Sequence, residues 1–336
     1  MKFISRGILW GCCLGMLAGL VGPSAAWASP WTLPTDELGL TVDYTFQYAD
    51  REFLPDGTFQ AFPLEGASLS HTMRLGARYG FTDKFEGAVD VEFKQITYQA
   101  QTVLLGLPED SENLSEVNDT ILDFNTLRMG AGDFYFHGRY NLRRGLIMIT
   151  SETTLKLPTG YDAPQGTFND EMTSVLGQAT LGDAQTDLTQ SLLLGGFLPA
   201  TKTFARLDAG LRLRFGAPGP QAVGALKVGQ FIGDTLLLIG GLRAHQTIAQ
   251  GDRIGVTMTA IDPTIPRSQF TEDNIRSVDL YLDSDLAIGE AGVLFRLGDF
   301  ELTANYGYTF RGRNVAASHS VSIGTIFAID GVTARD

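Results

Sequence analysis

Polar and apolar residues alternate one by one along much of this chain, and this pattern constrains its fold more than any other feature. From position 40 to 48 every second residue is apolar, starting with Leu40 and Val42, and the residues between them, such as Thr41 and Asp43, are polar. A period of two places successive side chains on opposite faces of a β-strand. The sequence therefore predicts strands that have one apolar and one polar face.

The same pattern occurs twelve times. Further runs lie at 69–79, 85–94, 133–140, 147–157, 183–194, 206–215, 222–232 and 235–248, on both sides of Gly298-Asp299, and at 320–329. Most runs are about ten residues long, enough for a tilted strand to cross a bilayer, whereas strands of soluble sheets average about five or six. A secreted β-sandwich is the alternative, and it would share the alternation but not the length. We predict an all-β protein, a transmembrane antiparallel up-and-down β-barrel of about 12 strands.

Short and long connections alternate between the runs. Short ones fall near positions 82, 143, 200, 233 and 299, and long polar ones at 49–67, 99–130, 158–181 and 249–276. Outer-membrane barrels have short periplasmic turns and long external loops. Aromatic residues next to the short turns form a predicted interfacial girdle: Tyr79, Phe85, Tyr140, Phe295 and Phe300. Both termini are therefore expected in the periplasm.

The first 28 residues have the composition of an export signal. Lys2 and Arg6 precede an apolar stretch at 8–21, and Ala26-Trp27-Ala28 provides small residues for cleavage. We assign residues 1–28 to a signal peptide and residues 29–336 to one barrel domain in the outer membrane of a Gram-negative bacterium. A lipoprotein signal is disfavoured because the apolar stretch continues past its only cysteines.

The mature chain is acidic and contains no cysteine. Cleavage after Ala28 removes Cys12 and Cys13, so no disulfide can form, and it takes the formal net charge from −13 to −15 because Lys2 and Arg6 are lost. Such a charge excludes a nucleic-acid binder that follows phosphates with a basic face. The sequence has no metal-ligand, phosphate-loop or nucleotide motif, so we predict no cofactor and no metal site.

The hairpin around Thr82 has one ionic and one apolar face. If the turn centres on Thr82, opposed residues have numbers that sum to 164. The predicted pairs are Arg78 with Glu86, Arg74 with Asp90, Tyr79 with Phe85, and Leu75 with Val89. The same argument applied to Gly298-Asp299 pairs Arg296 with Glu301 and Phe295 with Leu302.

The sequence does not determine which face of the eighth and ninth strands points inward. A two-residue turn at Gly233-Asp234 would place Lys227 and Arg243 on opposite faces unless a bulge intervenes. We leave both assignments open.

With the apolar face toward lipid, the polar face lines the lumen. The lumen-lining candidates are Arg74, Arg78, Glu86, Asp90, Glu92, Lys94, Asp133, His137, Arg139, Glu152, Lys156, Asp187, Arg206, Asp208, Arg212 and Arg214. They could be paired ions that fill a narrow, closed structural barrel, because a charge withdrawn from water needs a partner. They could equally line a polar channel whose field selects solutes.

A barrel enzyme that acts on lipid is the competing functional class, and we predict that this chain is not an enzyme. A hydrolase needs a nucleophile within hydrogen-bonding reach of a base. The chain has four histidines, at 71, 137, 245 and 319, and serines adjoin His71 and His319. Neighbouring strand residues point to opposite faces, so neither adjacent serine can pair with its histidine.

The stretch MGAGDFYFHGRYNLRRGLIMITSETTLKLPTG at 129–160 resembles the outer-membrane barrel family associated with phenol and aromatic degradation pathways. Three shorter segments resemble it as well: Tyr79-Gly-Phe-Thr-Asp83, Leu181-Gly-Asp183 and Tyr306-Gly-Tyr308. The resemblance implies an outer-membrane channel or transporter for passive uptake of small solutes, apolar or aromatic ones included. The chain departs from the usual barrel ending, because Asp330 and six further residues follow Ile329 where a terminal aromatic residue is expected.

The expected partners are outer-membrane lipid and lipopolysaccharide, the barrel assembly machinery and a small-molecule solute, with no nucleic acid. The segment at 109–123 carries six acidic residues, which we interpret as a solvated face. Divalent-cation bridging from these carboxylates to lipopolysaccharide phosphates is the alternative.

Overall fold

A computed structural model describes residues 31–104, 121–122, 125–164, 180–298 and 300–329. The predicted signal peptide, most of the acidic segment 109–123 and the residues after Ile329 lie outside these ranges. Among the described residues, twelve antiparallel strands form a closed barrel, and each strand pairs with its neighbours in the chain. The fold class predicted from the alternation is confirmed.

The twelve barrel strands are 11 to 18 residues long. Their bounds are β1 Leu38–Ala49, β2 Ala67–Thr82, β3 Phe85–Gln99, β4 Thr126–Arg143, β5 Ile147–Pro158, β6 Thr186–Leu198, β7 Thr203–Phe215, β8 Gln221–Ile232, β9 Leu236–Thr247, β10 Asp285–Leu297, β11 Phe300–Arg313 and β12 His319–Ile329. The barrel closes where β1 pairs with β12, from Leu38 opposite Ile329 to Tyr48 opposite His319.

The two ends of the barrel differ. Both chain ends of the barrel and the tight turns after β2, β4, β6, β8 and β10 lie at one end. The strand ends that border the connections 50–66, 100–125, 159–185 and 248–284 lie at the other. Two connections at this second end, 216–220 and 314–318, are short, which the sequence pattern did not indicate. We call these the short-turn end and the loop end.

The wall has its polarity inverted relative to a soluble protein. In β1, Leu40, Val42 and Tyr44 are 37%, 43% and 45% exposed, whereas Thr41 and Asp43 between them are 3% and 7% exposed. Apolar side chains therefore cover the outside, where they can face hydrocarbon, and polar side chains face the lumen. Within the described residues no helix has the length and hydrophobicity needed to cross a membrane.

The predicted register of the β2–β3 hairpin is wrong by two residues. Arg74 lies opposite Glu92 and not Asp90, Arg78 lies opposite Ala88, Tyr79 opposite Gly87 and Leu75 opposite Val91. The turn consists of the two residues after Thr82, and a register shift follows Gly80, so the centre of the hairpin lies further along the chain. A shift by two leaves each side chain on its predicted face.

The facing of β8 and β9 depends on the length of their turn. Ile232 pairs with Leu236, so the turn has three residues and not two, and Gly233 adopts a positive φ of 67° within it. The extra residue changes the parity of the pairing, which places Lys227 and Arg243 on the same, inward face. At the β10–β11 hairpin the predicted pairing of Arg296 with Glu301 is confirmed.

The connections at the loop end carry a small hydrophobic core. Ala49, Ile96, Phe62 and Phe270 belong to one buried cluster that joins strand ends to the loops 50–66 and 248–284. Short strands add to these loops: 51–53 pairs with 59–61 and with 315–316, 253–260 with 275–281, and 103–104 with 121–122. The described parts of the loops contain three 3-10 helices, at Pro63–Glu65, Arg267–Gln269 and Glu272–Asn274. The mouth of the barrel is thus partly covered by packed loops.

Candidate functional site

The lumen is the candidate site, and all sixteen predicted lining residues are buried or half-buried. Ten of them have exposed fractions of 8% or less: Arg74, Glu86, Asp90, Lys94, Asp133, Arg139, Lys156, Asp187, Arg206 and, with the lowest value, Glu92 at 0%. The other members, Arg78, His137, Glu152, Asp208, Arg212 and Arg214, are half-buried. Alternation alone thus identified a set of side chains that avoid the outer surface.

At the short-turn end the charges form a chain across four strands. Arg78 of β2 donates two hydrogen bonds to Glu86 of β3, at 2.8 and 2.6 Å. Arg139 of β4 lies 3.4 Å from Glu86 and also bonds to Glu152 of β5. The predicted contact between Arg78 and Glu86 therefore exists, as a diagonal one.

In the middle of the same wall, Glu92 binds two cations. Its carboxylate pairs with Arg74 and, at 2.8 Å, with Lys94 Nζ. Beside it, His137 Nε2 lies 3.1 Å from Asp90 and His137 Nδ1 lies 2.9 Å from the Thr154 hydroxyl. These contacts fill the lumen beside β2 to β5 with side chains that hold one another in place.

Toward the loop end, a loop carboxylate completes the network. Asp183, which precedes β6, binds Lys156 Nζ at 2.6 Å and pairs with Arg214, and Asp187 lies 3.0 Å from the same lysine. Burial alone would raise the pKa of Asp183, but the charges of Lys156 and Arg214 hold this pKa below its ordinary value of 3.8. The ion pairs thereby tie the loop before β6 to the lumen wall.

Acid is expected to release this loop. Because the pKa of Asp183 is lowered in the folded protein, its pairing contributes stability above the ordinary pKa of 3.8 and loses it as the pH falls through the lower, folded value. The hydrogen-exchange protection factors of residues 180–185, which are corrected for the slower intrinsic exchange in acid, should therefore fall on acidification below about pH 4. In Asp183→Asn the exchange should be fast already at neutral pH, and an unchanged rate would contradict the role of the pair.

On the opposite wall the charges are less evenly matched. Glu290 of β10 lies 3.2 Å from Arg243 and 3.6 Å from Lys227, so one carboxylate serves two cations. Arg206 pairs with Asp208 two residues along β7, and Arg212 bonds to the amide of Gln221 at 3.1 Å. Within the described residues, Arg212 has no carboxylate within salt-bridge distance.

Beside these charges the lumen holds a cavity. It encloses about 830 Å3 of empty space, part of it open to solvent, inside the wall formed by β1, β2 and β8 to β12. Its lining includes Thr45, Ser322, Asn305, Arg243 and Glu290. One side of the lumen is therefore filled by ion pairs, and the other side has room for a small molecule.

Sequence reasoning missed several residues of this cavity. Asp43, Lys227, Arg243 and Glu290 line it but were not among the lumen candidates. The alternation of β1 already places Asp43 with the polar residues Thr41 and Thr45 and could have found it. Lys227 and Arg243 could not be placed because their facing depends on a one-residue difference in turn length.

Residues 31–37 lie against the inside of the short-turn end. The Leu33 amide donates to Glu86 at 2.9 Å, and the Asp36 amide donates to the carbonyl of Gly80 at 2.8 Å. A Cβ at Gly80 would lie 1.9 Å from the Pro34 carbonyl oxygen, so this inward-facing position must lack a side chain. Hydrogen bonds from Thr35 lower the pKa of Asp83 and fix the segment to the β2–β3 turn.

The histidines bond to partners on other strands or loops and not to their neighbouring serines. His71 and His319 each bond to a tyrosine hydroxyl at 2.6 Å, and His245 lies 3.3 Å from the Ser284 hydroxyl. Across the residues that the structure describes, no group of His, Cys, Asp and Glu is arranged to hold a metal ion.

The barrel geometry is shared with solved outer-membrane proteins. The chain is similar to an outer membrane channel from Pseudomonas putida F1, with a TM-score of 0.59 and 12% identity over 92% of this chain and 100% of that chain. It is also similar to the translocator domain of the autotransporter NalP from Neisseria meningitidis (TM-score 0.47, 11% identity, 90% and 91% covered) and to the NanC porin (TM-score 0.44, 9% identity, 85% and 98% covered).

No protein-family model and no curated protein matches the sequence. At these low identities the likeness to the Pseudomonas channel shows the fold, which is that of an outer-membrane β-barrel.

Proposed function

We propose that this protein is an outer-membrane channel that lets small, water-soluble solutes diffuse passively through the open side of its lumen. The observation that carries the proposal is the cavity beside the ion-paired wall. This space is partly open to solvent and is bordered by strands β1, β2 and β8 to β12, so a small solute can enter it. The ion pairs keep the remaining lumen filled and rigid.

The chemistry of the wall supports the solute class. Most of the residues that line the cavity have hydroxyl, amide or charged side chains, and Ile239, Ile288 and Ala291 are apolar. A polar solute can exchange its hydration shell for these groups, whereas a hydrocarbon would leave them without partners. The family resemblance implies apolar or aromatic solutes instead. Phenol-like compounds, which have an aromatic ring and a polar group, agree with the polar lining and with the resemblance.

Liposome swelling tests this proposal. Vesicles that contain the protein should swell in isosmotic solutions of a small sugar such as arabinose and of an amino acid, and swelling should slow sharply as solute size increases. If none of these solutes caused swelling and the purified barrel retained a hydrophobic ligand, a polar channel would be contradicted. That result would favour a transporter for apolar compounds.

A further inference from the structure

Two histidines lie on the lipid-facing surface, and each has the same aromatic surroundings. Nδ1 of His71 in β2 lies at a hydrogen-bonding distance of 2.6 Å from the Tyr44 hydroxyl, and the His71 ring lies 5.2 Å from that of Phe46. His319 of β12 is bonded in the same way by Tyr306 at 2.6 Å and stacks on Tyr308 at 4.6 Å. In both cases the two aromatic residues are two positions apart on the neighbouring strand.

Both pairs belong to one patch at the loop end of the wall. β2 and β12 flank β1, and the pairing sets His71 opposite Phe46 and His319 opposite Tyr48. The two residues are separated by two strand spacings across the sheet and by two residues along β1, which together amount to about 12 Å. Tyr44 and Tyr306 are each 45% exposed, so the patch faces the membrane and not the lumen.

The position corresponds to the outer headgroup region. β1 ends at Ala49, next to Tyr48, and β12 begins at His319. The patch therefore lies in the last residues of the strands before the external loops. In an outer-membrane barrel the end with long loops faces the exterior. Lipid phosphates therefore lie at the height of these imidazoles.

The tyrosine bond sets the chemistry of each imidazole. When Nδ1 accepts a hydrogen bond from the tyrosine hydroxyl, the neutral ring carries its proton on Nε2. Among the described residues, neither Nε2 has a hydrogen-bond partner, so each can act as a donor toward the surrounding lipid. A protonated ring would keep this donor and add a positive charge, and hydrogen bonds from such donors to phosphate are among the stronger ones.

We propose that His71 and His319 each donate a hydrogen bond from Nε2 to a phosphate group of an outer-leaflet lipid headgroup. The acyl chains of that lipid would lie along the apolar side chains below, such as Val42 and Met73, which are 43% and 42% exposed. The proposal concerns the outside of the barrel and does not depend on solute passage through the lumen.

Carbon-edited NMR of the imidazole C–H groups tests this proposal in the purified, full-length barrel in detergent. The chain has only four histidines, so the signals can be assigned by single substitutions. On titration with dioctanoyl phosphatidic acid, the signals of His71 and His319 should shift to saturation. Those of His137 and His245, which face the lumen, should stay in place and report that the fold is intact.

Two comparison ligands identify what is recognised. Dioctanoylglycerol has the same chains without the phosphate, and equal shifts with it would overturn the role of the phosphate. Equal shifts with inorganic phosphate alone would overturn the assignment to a lipid, and no shift with phosphatidic acid would overturn the site. The variant His71→Phe/His319→Phe should weaken binding of phosphatidic acid by about fivefold or more, since charge-assisted bonds are lost. Tyr140→Phe, which alters a lipid-facing tyrosine near the short-turn end, should leave the affinity unchanged.

Discussion

Glu92→Gln is expected to lower the free energy of unfolding by about 3–5 kcal/mol, because it leaves buried cations without their counter-charge. Glu92 is 0% exposed and pairs with both Arg74 and Lys94. Glutamine has nearly the same shape, so the loss reports charge and not volume. Urea unfolding of the barrel in lipid vesicles, followed by far-UV circular dichroism, measures it.

The matched control is a carboxylate at the surface. Glu301 bonds to Arg296 at 2.9 Å, and their side chains are 23% and 50% exposed. Exposed ion pairs contribute about 0–1 kcal/mol, so Glu301→Gln should have a small effect. Equal losses for the two variants would show that the lumen network is hydrated and does not brace the barrel.

Glu290→Gln should make the channel markedly more anion-selective. Glu290 lines the cavity and is shared by Lys227 and Arg243, so its removal leaves two positive charges uncompensated beside the solute path. The reversal potential in a salt gradient across a planar bilayer measures the change, and Arg243→Gln should shift it in the opposite direction.

The control for selectivity is a carboxylate that does not line the cavity. Asp208 pairs with Arg206 on β7, and Asp208→Asn should shift the reversal potential much less. Identical shifts from Asp208→Asn and Glu290→Gln would mean that the whole lumen field, and not the cavity, determines which ions pass.

The alternation in sequence predicts the fold because one physical rule governs all twelve strands. A strand between lipid and an ionic lumen must alternate, and Leu40 to Tyr48 shows this as clearly as any segment. Faces were therefore predictable, and the sixteen lumen candidates avoid the outer surface. Which ion pairs with which was less predictable, since the register shift after Gly80 places Arg74 opposite Glu92 and not Asp90.

The cavity itself could not be predicted from the sequence. It exists because β1 and β12 carry small polar residues such as Thr45, Ser320 and Ser322 on the inward face, whereas β2 to β5 carry long charged ones. The cavity forms only when these strands are arranged around one lumen, and the sequence does not give that arrangement. The aromatic patch around His71 and His319 likewise depends on the closure between β1 and β12, which joins the two ends of the sequence.

The most direct test of the proposed channel compares two neighbouring residues of β12. Ser322 lines the cavity, and Val321 is 47% exposed on the lipid-facing side. Single-channel conductance in planar bilayers should fall severalfold in Ser322→Trp, because the indole occupies the solute path, and should stay at the wild-type value in Val321→Trp. Equal conductance for both variants would contradict the conclusion that solutes pass through this cavity.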